Sequence, residues 1–244
     1  MSIVSSGPVA QASPGLGTAL RAAARDFFDH SWRLVAANVA WGLALLLVLA
    51  GLGLSPLALL LAPLLAVPTA GVYRLAALIA RGERVSVTDG LVAWWRFGGR
   101  ALVIGIPIAL AVVALSTNVI TGLGTGDLVG WTLATAAGWG LAAVATVCVV
   151  LWPLAVDPWR EGLRLREVVR LALLLTLAFP VRFAVLALLV GMVFVLGSLA
   201  VVAVLSVAVA IAALISCRYV LPAADRLWPP PGRPPASSPE GSRS

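Results

Sequence analysis

From Phe183 to Cys217 no charged residue interrupts the chain. As one helix this stretch would be about 52 Å long, too long for a single crossing of a hydrocarbon layer about 30 Å thick. It is therefore divided at Gly197-Ser198 into two membrane spans. Comparable apolar runs occupy Leu34–Gly53, Leu57–Ala80, Ala101–Thr117 and Leu128–Trp152. The chain is 61% apolar and only 11% charged, whereas soluble domains carry about 25% charged residues. The expected fold class is all-α: a polytopic membrane helix bundle over residues 21–227, with cytoplasmic amphipathic segments. Its six transmembrane helices lie near 34–53, 57–80, 101–117, 128–152, 181–197 and 199–217.

The segment from Val67 to Arg100 sets the orientation. It leaves one apolar run, carries Arg74, Arg81, Arg84, Arg96 and Arg100, and enters the next run at Ala101. Guanidinium groups are costly in hydrocarbon, so these residues mark where the bilayer ends. All 17 basic residues of the chain are arginines. Six spans with both ends inside put every one of them on the same face, and of ten acidic residues only Asp127 falls opposite. That asymmetry is the positive-inside pattern. A multi-pass protein of the cell membrane with N and C termini in the cytoplasm is expected. The basic balance is then a topology signal suited to anionic headgroups, and nucleic acid is not an expected partner.

Residues 1–20 are rich in Ser, Gly, Pro and Ala and read as a disordered tail, as do the Pro/Ser-rich residues 228–244. The late position of Arg21 and Arg25 argues against a cleaved leader. Asp26 to Arg33 reads as an interfacial lead-in with Phe27, Phe28 and Trp32 at headgroup depth. Pro63 and Pro68 interrupt the second span, and Thr69 follows at once; Pro107 lies in the third. Each proline removes a backbone donor. These four residues form a candidate functional kink, with close packing the preferred reading over a substrate site. Thr88-Asp89 can cap a short cytoplasmic helix, and Gly98-Gly99 can bend the chain before the third span. Ser116 to Gly126 reads as the one sizeable outer loop. Trp131 and Trp152 read as aromatic anchors at opposite ends of the fourth span, which stops at Pro153. Between Asp157 and Pro180, residues Leu165, Val168, Val169, Ala172 and Leu173 share one helical face, with Arg160, Arg164, Glu167 and Arg170 on the other. Such a helix lies in the interface. Starting a span at Leu171 instead would bury Arg182, at about 2.5–3.5 kcal/mol. The basic cytoplasmic face comprises Arg81, Arg84, Arg96, Arg100, Arg160, Arg164, Arg166, Arg170 and Arg182.

Three places carry a resemblance to a known family. Pro68-Thr69-Ala70 is followed by Tyr73-Arg74; Arg81-Gly82-Glu83 leads to Trp95-Arg96 and Arg100; and Pro153 to Asp157 precedes the amphipathic segment and Pro180. In these, over residues 25–225, the chain resembles the YesL-type family of bacterial integral membrane proteins, a domain family of unknown function. It departs from that pattern at Gly98-Gly99 and at Leu171-Ala172. The resemblance implies a carbohydrate-uptake context.

Catalytic signatures are missing from the sequence. His30 is the single histidine and no CxxC occurs, so the usual metal spacings are absent. Cys148 and Cys217 read as small buried side chains rather than a disulfide pair. No paired carboxylates lie within a span. Gly122 to Gly126 lacks the lysine of a phosphate loop, and Asp157 reads as a helix cap. No enzyme activity and no cofactor are expected. The expected function is that of an accessory or regulatory membrane component working through its arginine-rich cytoplasmic face on another membrane protein or transport system. The alternative is a small transporter or channel for an uncharged solute using the Pro-kinked helices. An intramembrane enzyme would need convergence of polar groups such as Asn38, Thr69, Asn118 and Thr132.

Overall fold

The computed structural model describes residues 15–199 and 207–229. The remainder of both expected tails, and residues 200–206 within the sixth expected span, lie outside the described residues. Every described element is a helix. In order they are α1 (Leu16–Asp29), α2 (Ser31–Leu54), a 3-10 segment (Pro56–Leu65), α3 (Ala66–Ala80), α4 (Val87–Thr125) and α5 (Leu128–Ala155). A short 3-10 turn (Pro158–Arg160), α6 (Leu165–Ala178), α7 (Pro180–Leu199) and α8 (Val209–Leu227) complete the chain. Five stretches are long and apolar enough to cross a membrane: Ser31–Leu54, Pro56–Ala80, Val87–Thr125, Leu128–Ala155 and Pro180–Gly197. Large apolar side chains such as Leu47, Leu60, Val103, Leu110 and Leu188 point outward, as they do where the solvent is lipid.

The core forms around α3, which is buried along nearly its whole length from Ala66 to Ile79. Its composition explains that position. Ala66, Ala70, Gly71, Ala76 and Ala77 are small enough for neighbouring backbones to come close. A Cβ on Gly71 would collide with the Trp94 indole and stand 2.9 Å from the Gly90 carbonyl oxygen of α4. On the other side α3 packs on α8, where Val209 to Leu221 are almost entirely buried. At the start of α8, Asn38 of α2 is fully buried and its Oδ1 accepts from the Ala210 backbone N–H at 2.8 Å.

Several sequence expectations change. Residues 16–20 are helical rather than tail: Ala19 and Ala23 are buried and Leu16 and Leu20 pack on the core, so apolar spacing outweighs low charge. The expected loop from Ser116 to Gly126 is the last part of α4. Thr117 and Thr121 donate their hydroxyls to carbonyls four residues back, which lets polar side chains ride an exposed helix. The turn is only Gly126, at φ 70°, and Asp127, whose carboxylate accepts from Gly130 N–H at 2.7 Å. On the arginine-rich side, α4 begins at Val87, capped by Ser86 with Asp89 in a capping box. It runs unbroken through Gly98-Gly99. Pro153 does not end α5, which continues to Ala155. Trp152 is buried, its ring centroid 6.1 Å from that of Tyr73, and is not an interfacial anchor. The buried face of α6 centres on Val168, Leu171, Ala172 and Leu175, while Leu173 is exposed. Pro180 opens α7, where its missing N–H costs nothing.

Candidate functional site

The chemistry-bearing side chains gather where α3, α5 and α8 end together. Arg81 caps the C-terminus of α3. Asp157 follows α5, and its carboxylate accepts from the Trp159 backbone N–H at 3.2 Å, starting the short turn that carries Arg160. Asp225 sits in the last turn of α8. Arg81 grips Asp157 with Nε at 3.0 Å and Nη2 at 2.5 Å. Its Nη1 and Nη2 donate to Asp225 at 2.5 and 3.1 Å. Arg160 closes the ring, donating to Asp157 at 2.5 Å, to Asp225 at 2.7 Å and to the Trp228 carbonyl at 2.8 Å. The Arg81 guanidinium lies 3.9 Å from the Trp159 ring centroid, and the Trp159 indole N–H donates to Glu83 at 3.2 Å.

Two guanidinium groups and two carboxylates thus form a closed, electrically neutral clasp. The Asp157 and Arg160 side chains are 0% exposed, Arg81 5% and Asp225 15%. Bidentate charge-assisted bonds make such a buried set tenable. Burial alone would disfavour both charges of the Arg81–Asp225 pair. For Arg81 the carboxylates of Asp225 and Asp157 prevail and raise the guanidinium above its ordinary value. Arg81 and Arg160 likewise hold the Asp225 carboxyl below its ordinary range.

A carboxyl held low in the folded state stabilises the fold above its unfolded pKa, and the contribution disappears as pH falls through the folded value. The unfolded aspartate titrates near pH 3.9. The unfolding midpoint of the purified protein is therefore expected to drop as pH is taken below about 3.9. Replacing Asp225 by Asn should lower the midpoint at neutral pH and flatten that acid limb. Parallel acid limbs in the two proteins would contradict the assignment.

A second set of arginines surrounds the clasp. Arg74 donates to the Val156 carbonyl at 2.9 Å and pairs with Glu161, which also holds Arg96 at 2.6 Å. Arg74 and Arg96 stand 5.4 and 5.9 Å from the Phe97 ring centroid. Arg100 donates one N–H to the Leu163 carbonyl at 3.3 Å, while its Nε and Nη2 are buried without a hydrogen-bond partner. Arg218 ties α8 to Asp26 of α1 at 2.5 Å. Arg84, Arg164, Arg166, Arg170 and Arg182 are exposed, with Arg182 placed 5.4 Å from the Phe179 ring centroid.

The proline kink is built differently. The 3-10 segment ends at Leu65 and α3 begins at Ala66, so Pro68 falls in the first turn of α3, where no intrahelical N–H is needed. The Thr69 hydroxyl donates to the Leu65 carbonyl at 2.7 Å and accepts from the Trp41 indole at 2.9 Å. Pro68 is buried and Pro63 half-buried against α4. Pro107 is exposed, beside an apolar groove whose wall includes Cys148. Thr69 is thus already engaged. Asn38 holds α8, and Thr132 donates to the carbonyl of Leu128 on its own helix. Among the described residues no three His, Cys, Asp or Glu side chains are grouped to hold a metal ion.

Sequence reasoning placed Arg81 and Arg160 on a solvated basic face, yet both turn inward. It read Asp157 only as a cap and missed Asp225, Glu161, Asp26 and Trp159. One signal was legible: in an arginine-rich segment with few acids, each carboxylate near a helix end is a candidate ion-pair partner. A scan against protein-family models and searches of curated proteins and solved structures returned no match.

Proposed function

We propose that the chain is a non-enzymatic, six-span protein of the cell membrane that works as an accessory component of another membrane system through its arginine-rich face. On this reading α8 and the residues before it form the sixth span, the arginine-rich end is cytoplasmic, and both termini lie there. The observation that carries the proposal is the closed Arg81–Asp157–Arg160–Asp225 ring. It fastens three helix ends to one another and makes this end a fixed platform. The exposed arginines are left to meet anionic headgroups and a partner protein. The resemblance to the YesL-type family adds a carbohydrate-uptake context. Affinity capture of the full chain from native membranes in mild detergent is expected to bring down a stoichiometric membrane partner. That partner should be lost on Arg166→Glu with Arg170→Glu. Recovery of the chain alone would overturn the proposal.

The ten-residue 3-10 run from Pro56 to Leu65 supports the second reading, facilitated passage of an uncharged solute, because such long runs are uncommon and mark hinges. Solute flux through liposomes carrying the purified chain, altered by Pro68→Ala, is its test.

A further inference from the structure

Beside the clasp, between the end of α3, the following loop and the first turns of α4, lies an open cavity of about 260 Å³. Three arginines line it: Arg74, Arg84 and Arg96. Its two lining carboxylates are already committed. Asp89 accepts from the Ser86 N–H at 2.7 Å, capping α4, and Glu83 accepts from the Trp159 indole. A third carboxylate, Glu161, shows what the wall is built to hold: Arg74 and Arg96 converge on it from two helices. Arg84 makes no ion pair among the described residues, and Arg96 remains well exposed, with 61% of its side chain open. Planar guanidinium donors at the mouth of a concave site match the oxygens of a phosphate group. The same cavity borders the first turn of α4, whose amide dipoles favour an anion. Its lining includes the exposed Val92.

We infer that this cavity binds a phosphate group, bridged by Arg84 and Arg96, with Glu161 as the internal carboxylate that competes for the Arg96 guanidinium. The inference rests on the proposal that the arginine-rich face is the working surface, and it adds the ligand chemistry taken there. A phospholipid headgroup and a free phosphorylated solute share that chemistry.

The test uses the purified full chain in two arms. In one, the thermal stability of the chain reconstituted in bilayers of phosphatidylcholine alone is compared with that in equimolar phosphatidylcholine and phosphatidylglycerol. In the other, inorganic phosphate is titrated against thermal stability. Arg84→Gln is expected to weaken anion binding about tenfold, the loss of one charge-assisted contact. Glu161→Gln is expected to strengthen it by releasing Arg74 and Arg96. Arg21→Gln and Asp29→Asn, equal charge changes at exposed sites on α1, should leave it unaltered. Stabilisation confined to the bilayers containing phosphatidylglycerol, and lost on Arg84→Gln, assigns the phosphate to a lipid. Stabilisation by inorganic phosphate that Arg84→Gln abolishes assigns it to a soluble ligand. Failure of both arms, or matching effects from the exposed-site variants, overturns the site. Because no partner protein is present, this outcome is independent of the affinity capture above.

Discussion

Replacing Asp157 by Ala is expected to destabilise the protein by about 3–5 kcal/mol, the cost of stripping a buried ion pair of one member. The loss follows from geometry. The Asp157 carboxylate receives Arg81 through two nitrogens and Arg160 through one, with both Asp157 and Arg160 wholly buried. Its removal leaves two guanidinium groups sharing Asp225. Thermal or denaturant unfolding of the full chain in detergent reads the effect. Pairing Asp157→Ala with Arg160→Met, which restores neutrality with an apolar side chain, should recover part of the loss. Surface substitutions usually lie within about 0.5 kcal/mol, and Arg166→Ala supplies that reference. If Asp157→Ala were no worse than Arg166→Ala, the ring would not be what holds the three helix ends.

A second large effect is expected at Gly71. Substitution by Leu should cost about 1–3 kcal/mol or more, as for an overpacked core, because the added carbons meet Trp94 and the α4 backbone at Gly90. An indole can turn aside, but a helix backbone moves only by separating α3 from α4. Gly99→Ala, at a position where an added Cβ meets nothing within 4 Å, serves as the control. Equal unfolding midpoints for the two variants would mean that α3 and α4 are less closely packed than described.

The contrast between these two sites explains how much could be read in advance. Apolar runs long enough to span a membrane and the break at Pro180 are local properties, and they were legible. The clasp was not. Its bonds join residues 76 and 144 positions apart, and nothing near Arg81 in the chain distinguishes it from the exposed Arg84. The two were assigned to one solvated surface for that reason. Errors at helix ends had a common source. Gly98-Gly99 and Ser116 to Gly126 carry residues that favour turns in water, where the backbone can find solvent partners. On an apolar surface the helix is the cheaper way to satisfy each peptide group, so α4 continues through both. The kink was legible as a discontinuity, whereas its consumption of Thr69 between Leu65 and Trp41 depends on α2, 28 residues away from Thr69 at Trp41.

The 39 residues of α4 make a rod about 58 Å long, nearly twice the thickness of a bilayer's hydrocarbon layer. One end borders the arginine-lined cavity and the other reaches the turn at Gly126, with no loop to absorb motion between them. The two ends are thus joined by one continuous helix, in which Pro107 is the only residue without a backbone N–H to donate.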